Sequence, residues 1–515
     1  MLIYTRYFLL LSLVLLAKSL AILFFIFFGE VGLGPDEAQY WTWSQDLDWG
    51  YYSKPAGIAW QIALGCKFFG NTELGVRFSA MIIGIALPLA VYFLAKACNL
   101  QANTAFWAGM IMAFSPLGVL ASFLAITDGG IVLFWTLASI VIASALSKET
   151  SPNYAFVGFL VLCGALFKWQ IYYIWIFVFL IMLFLFKLKL RPFMGGIALS
   201  LLGLVPSLIW NWKHQWVTFR HVAGNINAAP TNHTHMLQGN FWAFLGEQAA
   251  LLSPLLFILL VVAFIYLVCK SKEIPWSVYF CGMMSFIIIL INCLNAIFKK
   301  MQGNWCDFAY PSAIVFLCWY AFEKVSWGKP WIKGGVILSV ILCFFALSLP
   351  YVQSHVSLSA FTIPYKINLF RHNVGWVKLG EDLKIAGYDP KKHFLFSDKY
   401  QMSSILSFYG EDQKRAYFLN LHHIRKNQFS FWPSMAVEQK NQTGFFVVAE
   451  NSPHVEKNFP SLIEEYKKLL RNYFKEVQYL GMHPLFYNNG LLVKAALIYE
   501  CIDYNGQEPK ETDLY

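Results

Sequence analysis

Gly34-Pro35-Asp36-Glu37-Ala38-Gln39-Tyr40-Trp41-Thr42-Trp43 continues through Asp46, Asp48 and Trp49-Gly50-Tyr51-Tyr52-Ser53-Lys54-Pro55, and this stretch decides how the chain is read. It separates an apolar run, Phe8 to Phe28, from a second that starts near Phe78. Together with Glu30, Asp36, Glu37, Asp46 and Asp48 make five of the twelve acids that precede residue 351. Trp and Tyr are at home where a bilayer meets water, so one reading is an interfacial amphipathic helix with solvated acids. The other is a catalytic loop at the mouth of the first span.

Composition sets the frame. Of 515 residues 58% are hydrophobic and 13% charged, about half the charged share of an ordinary soluble domain. The mean hydropathy is +0.51. A soluble enzyme, a small disulfide scaffold, a disordered tail and a fibrous repeat are all excluded, which leaves a polytopic membrane protein. The net charge of +10 fits basic cytoplasmic loops and does not point to nucleic acid. Residues 1–350 hold 20 Lys/Arg and 12 Asp/Glu, and residues 351–515 hold 19 and 17. Charge density therefore more than doubles after Pro350. Two parts are expected: a membrane domain, 1–350, and a soluble domain, 351–515, long enough to bury its own core.

Eleven stretches are long and apolar enough to span, starting near Phe8, Phe78, Thr104, Gly130, Tyr154, Ile171, Phe193, Gln248, Pro275, Cys306 and Lys333. The first resembles a signal peptide, but no small-residue cleavage site precedes Gly29, so a retained helix is expected. With the N-terminus inside, the short inner loops collect Arg6, Lys96, Lys148, Lys187, Lys189, Arg191, Lys270, Lys272, Lys324, Lys329 and Lys333. Residues 29–77 then form the first outer loop. An odd number of spans puts 351–515 outside, which in a bacterium is the periplasm. Ten or twelve spans with a cytoplasmic tail is the alternative.

The ten cysteines show no disulfide framework or zinc spacing and read as small apolar packing residues. In the soluble part His393–Ser397, Gly444–Ala449 and Leu491–Tyr499 read as strands and Ser461–Lys475 as an amphipathic helix, giving an α/β layer. No phosphate loop, nucleophile elbow or metal motif is present there. Tyr400–Tyr409 and His422–Trp432 read as packing segments or as a surface.

The 34–55 stretch combines three chemical parts. A carboxylate can take a proton from an acceptor hydroxyl. A lysine can hold a lipid phosphate and stabilise its charge as it leaves. Aromatic faces can carry a sugar or a prenyl chain. Together they suit transfer of a sugar from a lipid-phosphate carrier.

The order Asp36-Glu37, Gly50-Tyr51-Tyr52-Ser53-Lys54-Pro55, Ala59-Trp60 resembles the polyprenyl-phosphate-sugar glycosyltransferases, which include aminoarabinose transferases of lipid A and protein O-mannosyltransferases. The wording is most similar to bacterial transferases of lipid A and core sugars. Ala125-Ile126-Thr127-Asp128, Leu166-Phe167-Lys168, Trp210-Asn211-Trp212-Lys213-His214 and Gly303-Asn304-Trp305 to Tyr310-Pro311 agree with the same family. The likeness covers the membrane part and touches the soluble part only through Asp398-Lys399-Tyr400 to Phe408-Tyr409. The familiar branch reads Lys-Pro-Pro where this chain reads Lys54-Pro55-Ala56, so a less rigid loop is expected after Pro55.

The resemblance implies a GT-C fold, a membrane helix bundle with an outer-leaflet site and a soluble outer domain. It implies an inverting single displacement at the inner membrane, from a polyprenyl-phosphate-linked sugar to a lipid or glycan acceptor such as lipid A, core or O-antigen. Asp36 is expected as the base, Lys54 on the donor phosphate, Glu37 orienting acceptor or base, and Asp128 orienting a substrate. Lys168 is expected as a second phosphate contact or as a lysine that snorkels to headgroups. Tyr51, Tyr52 and Arg220 are expected at the substrate. No cofactor is called for, and a divalent metal is left open. Membrane lipids are partners; nucleic acid is not. A protein O-mannosyltransferase-like enzyme, a lipid-linked-sugar flippase and a non-catalytic envelope assembly protein are the alternatives. Transporters show repeats and broken helices at matching places, and no repeat is visible between the halves.

Four further features stand out. Lys18 falls mid-span, where an ionisable group is functional by default or pairs with a polar neighbour. His214, His221, His233 and His235 share one loop with Arg220, as a solvated loop, a metal pair at 233 and 235, or a phosphate contact. Lys299 and Lys300 form a basic pair on an outer edge, against the charge rule. Cys501 is the one cysteine of the soluble part.

Overall fold

A computed structural model describes residues 2–185, 187–227, 239–356, 363–452, 455–510, 512 and 514. The chain opens with α1 (Leu2–Phe28), then α2 (Pro35–Ser44), α3 (Gly57–Phe69), α4 (Glu73–Ala97), α5 (Ala102–Phe114), α6 (Pro116–Phe123) and α7 (Thr127–Ser147). There follow α8 (Tyr154–Ala165), α9 (Ile174–Phe184), α10 (Leu190–Leu201), α11 (Val205–Lys213) and α12 (Val217–Asn227). The bundle closes with α13 (Phe241–Leu252), α14 (Pro254–Cys269), α15 (Trp276–Phe298), α16 (Tyr310–Trp319) and α17 (Gly328–His355).

All eleven apolar stretches fall on helices, but not on eleven straight ones. Six are long and apolar enough by themselves: Ile3–Phe28, Glu73–Ala97, Thr127–Ser147, Leu190–Lys213, Trp276–Phe298 and Gly328–His355. Two more are pairs, α5 with α6 bent by 58° and α13 with α14 bent by 106°. Six to eight spans therefore meet the length and apolarity of a full crossing. The first bend falls at Ser115-Pro116, where proline starts a helix but cannot continue one. The second falls at Ser253, whose φ of 89° no helix tolerates. The stretches near Tyr154, Ile171 and Cys306 form short helices instead, because the chain breaks after Ala165 and enters α16 through a 3₁₀ turn, Gly303–Ala309. Broken helices survive at membrane depth where protein or a cavity covers the freed backbone. Here each such break carries polar residues.

The 29–77 segment is a helical layer more than a loop. Its α2 and α3 lie across one end of the bundle, and their apolar faces form a single core with the sheet domain, through Leu33, Trp41, Ile58, Trp376, Ile405 and Phe408. Helix α17 runs through Pro350 to His355, so the change in composition falls inside a helix.

The sheet domain adds α18 (Leu379–Ile385), β1 (His393–Ser397), α19 (Tyr400–Tyr409), β2 (Tyr417–Phe418), α20 (Met435–Glu438), β3 (Thr443–Asn451), α21 (Val455–Leu470), β4 (Phe474–Asn488) and β5 (Leu491–Tyr504). Strand order is β2-β1-β3-β5-β4. β1 pairs parallel to β2 and β3, and β5 antiparallel to β3 and β4. The three strands expected from sequence are present. The amphipathic helix ends at Leu470, not Lys475, because Phe474 already belongs to β4. β4 was not legible: register shifts near Gly481 and Pro484 break the alternation that marks a strand. The ten cysteines are free thiols, and the buried Cys98 and Cys281 Sγ atoms lie 3.9 Å apart.

Candidate active site at the sheet-side end of the bundle

The site begins with the start of α2. Gly34 precedes the helix, Pro35 supplies a preset φ at its first position, and two acids follow in the first turn, where the helix dipole favours negative charge. Glu37 turns inward and Asp36 outward.

Every part of the Glu37 carboxylate is engaged. Arg77, at the start of α4, donates Nε–H to Oε1 at 3.0 Å and Nη2–H to Oε2 at 2.8 Å. The Gly34 amide donates to Oε2 at 3.0 Å and the Ala125 amide to Oε1 at 3.0 Å. Arg77 also donates to the Val31 and Gly32 carbonyls at 2.9 and 2.7 Å and packs 4.4 Å from the Phe123 ring. Both partners are buried. This pair ties α2, the 31–34 approach, α4 and the α6–α7 connection into one unit. Glu37 thereby fixes where Asp36 points, and its own oxygens are committed. Arg77 escaped the sequence reading because an arginine near a predicted span reads as a headgroup residue.

Asp36 opens into a cleft. Water reaches it, yet protein crowds the carboxylate, and this desolvation pushes its pKa above the ordinary aspartate value. The nearby Lys54 opposes the shift, while Glu37 and Asp128 add to it. Tyr40, one helical turn on, is buried beside Asp36.

Lys54 lies in the same cleft. Burial and Lys168 push its pKa down, against the attraction of Asp128 and Asp36. Its loop is closed by a Gly50–Pro55 bridge and a Tyr51 N–H to Lys54 carbonyl bond of 3.1 Å. The Gly57 amide then donates to the Leu166 carbonyl at 2.8 Å, where any Cβ at Gly57 would lie 2.6 Å from that oxygen. The loop is therefore anchored after Pro55 by the backbone of the α8–α9 break, without a second proline. The anchor also sets Lys54 near Lys168, two residues beyond Leu166.

Lys168 sits in the break between α8 and α9, and its Nζ donates to Asp128 Oδ1. Asp128 stands in the first turn of α7 and also accepts from Asn304 Nδ2 at 3.2 Å. Gly130 permits this closure, because a Cβ there would overlap the Phe167 ring. Asp307 is buried near the same pair, with its Oδ1 unpartnered.

The remaining sequence candidates have other surroundings. Tyr51 stacks on Trp43 at 4.6 Å, and its hydroxyl donates to the Trp43 and Asp46 carbonyls and accepts from the Asp48 amide. That hydroxyl serves the loop. Tyr52 is buried, with its ring 4.8 Å from His221 and 6.0 Å from Phe431. Arg220 is exposed on α12. His214 stacks on Trp210 at 4.1 Å, and His233 and His235 lie outside the described residues. Lys18 is buried and donates to the Gly118 carbonyl at 3.1 Å, so it pairs with polar backbone. Among the described residues no three His, Cys, Asp or Glu side chains converge to hold a metal ion.

A bundle of partly broken membrane helices, with acids and lysines gathered at the end that packs on a sheet domain, is the architecture expected of the GT-C class of membrane proteins. The chain superposes on the crystal structure of apo ArnT from Cupriavidus metallidurans with a TM-score of 0.62, 15% identity, and 96% and 98% of the two chains covered. The undecaprenyl phosphate-bound form of ArnT gives 0.55 at 14% identity, covering 94% and 97%. Residues 53–210, which include Lys54, Asp128 and Lys168, match the family described as dolichyl-phosphate-mannose-protein mannosyltransferase. A curated relative, lipid A galacturonosyltransferase RgtD of Rhizobium johnstonii, is 25% identical over 308 residues, 58% of this chain. The matched stretch spans 61% of that protein's length. The chain is thus a multi-pass membrane protein of GT-C fold, and over 53–210 it is similar to the family that the sequence motifs resemble.

Proposed function

We propose that the chain is an inner-membrane glycosyltransferase that moves a sugar from a polyprenyl-phosphate carrier to an envelope glycolipid. Lipid A is the acceptor favoured by the name of the curated relative. The N-terminus is cytoplasmic and the sheet domain periplasmic, in keeping with the basic residues of the short loops, and this reading has the shorter helices α8, α9 and α16 cross together with the eight longer or bent ones, an odd total. The observation that carries the reading is the meeting of Asp36 and Lys54 in one cleft, each shifted toward its neutral form.

In the reaction the acceptor oxygen bonds to the anomeric carbon from the face opposite the carrier. Its proton passes to the Asp36 carboxylate. The bond from the anomeric carbon to the phosphate oxygen breaks, and its electron pair leaves with the polyprenyl phosphate. A raised pKa makes Asp36 a stronger base while ionised. Lys54 meets the charge that grows on the leaving phosphate, in a site where water competes poorly. Glu37 positions Asp36 through the Arg77 clamp. Asp128, held by Lys168 and Asn304, orients the sugar.

The test uses purified full-length protein, lipid A and an undecaprenyl-phosphate sugar. A general base contributes about 100- to 10,000-fold, so Asp36→Asn should bind carrier normally and lose transfer by that factor. Near-normal transfer by Asp36→Asn would hand the base role to another residue, with Asp128 next.

A further inference from the structure

The segment His422–Trp432 and helix α19, remote in sequence from α2, pack onto the same cleft. Helix α19 lies on α2: Phe408 meets the Trp41 ring edge to face at 5.0 Å, and the Tyr409 hydroxyl accepts from the Leu33 amide at 2.7 Å. The first residue of α19, Tyr400, is half-buried and near enough to Asp36 to feel its charge. The Arg425 guanidinium is close enough to the Tyr400 hydroxyl to oppose the rise of its pKa, and three residues on, Gln428 is bonded to the Tyr52 amide of the Lys54 loop.

The strap that carries Arg425 is tied down on both sides. His422 Nε2 stands 3.1 Å from Asp398 Oδ2, which also accepts from the Tyr466 hydroxyl at 2.7 Å. Asn420 braces the turn through the Ile424 amide and carbonyl, both at 2.9 Å. Beyond it, Gln428 Oε1 accepts from the Tyr52 amide at 2.7 Å, and Phe431 stacks on Tyr52. Arg425 itself is exposed, and among the described residues no carboxylate forms an ion pair with it.

The charge balance of the cleft gives this cation a purpose. Lys168 is engaged by Asp128, and the transfer reading assigns Lys54 to the carrier phosphate. A second anionic group brought in beside Asp36 and Asp128 meets repulsion unless another cation receives it. A guanidinium with an adjacent hydroxyl matches a planar or tetrahedral oxyanion, and can grip it with two parallel N–H donors.

We propose that Arg425 and Tyr400 form an oxyanion subsite of the Asp36 cleft, which receives a phosphate of the acceptor glycolipid or a carboxylate of the transferred sugar. The proposal rests on the transfer reading and names the chemistry of its second substrate contact. It makes the sheet domain part of the substrate site.

The experiment measures binding to full-length protein in detergent. The probes are undecaprenyl phosphate, lipid A, dephosphorylated lipid A, and undecaprenyl phosphate carrying either galacturonic acid or galactose. Arg425→Gln removes an exposed charge, and Tyr400→Phe removes only a hydroxyl. Losing a charged hydrogen bond should cost about 10- to 100-fold in affinity. A loss for lipid A but not its dephosphorylated form assigns a phosphate. A loss for the galacturonosyl but not the galactosyl carrier assigns a carboxylate. Tyr400→Phe should weaken the same probe to a smaller extent. If Arg425→Gln binds every probe like wild type, or loses undecaprenyl phosphate as much as any other probe, the subsite is overturned. Failure of the wild type to bind undecaprenyl phosphate would instead sink the transfer reading, so the two failures are distinct.

Discussion

Asp36 and Glu37 are neighbours with opposite fates, and only one of them is placed to meet a substrate. The acid limb of kcat/KM should follow Asp36. Activity falls as pH drops through its pKa, because the protonated carboxyl cannot accept a proton, and the limb should lie above the usual aspartate value near 3.8. Lys54 holds that pKa down, so Lys54→Ala should lower transfer and move the limb to higher pH. A pH profile unchanged by Lys54→Ala would mean that another group sets the limb. Lys54→Arg keeps the charge with a different shape and should retain part of the activity. Glu37→Gln should act on stability first. Breaking a buried pair costs about 3–5 kcal/mol, so thermal unfolding in detergent should shift strongly while carrier binding by the folded fraction stays near normal.

At the scale of elements, the cleft is assembled by helix breaks. The turn after α8 presents Lys168, the α6–α7 joint presents Asp128, and the turn before α16 presents Asn304. Gly57 binds the Lys54 loop to the first of these. A Gly57→Val side chain collides with the Leu166 carbonyl, and overpacking of this kind costs about 1–3 kcal/mol. It should weaken undecaprenyl phosphate binding beyond its effect on unfolding temperature, as isothermal binding and a melt on one preparation will read. Equal binding in Gly57→Val and wild type would show that the loop tolerates displacement. Breaks also explain why, of eleven apolar stretches, only six to eight form helices or bent pairs long enough for a full crossing by themselves. Apolarity records what a segment is dissolved in, and it says little about whether the helix runs straight.

For the whole molecule, the proposed topology puts the sheet domain and the cleft on the periplasmic side. A reporter that fluoresces only in the cytoplasm, fused after Tyr515, should stay dark. A bright fusion would overturn the orientation. The shared core of α2, α3 and the sheet domain means that the two parts do not move as independent bodies. Truncation before Trp376 should therefore expose Trp41 and Ile58 and destabilise the α2 layer, seen as protease cutting within 35–69.

The sequence by itself determined the helical, apolar class of the first part and the strands of the second with regular alternation, and it marked Asp36, Lys54, Asp128 and Lys168 as candidates. Those are matters of composition, period and motif, each contained in a short window. Only the tertiary structure decided what each charge does. Glu37 matched the motif as well as Asp36, yet Arg77 claims it from 40 residues away. Tyr51 sits within the same motif, yet its hydroxyl closes its own loop. Arg425 and Tyr400 lie in segments the sequence left open between packing and surface, and α19 comes to the α2 side of the molecule only by packing on α2. A side chain's type is written locally, but its partner, its exposure and therefore its pKa depend on what the fold brings against it.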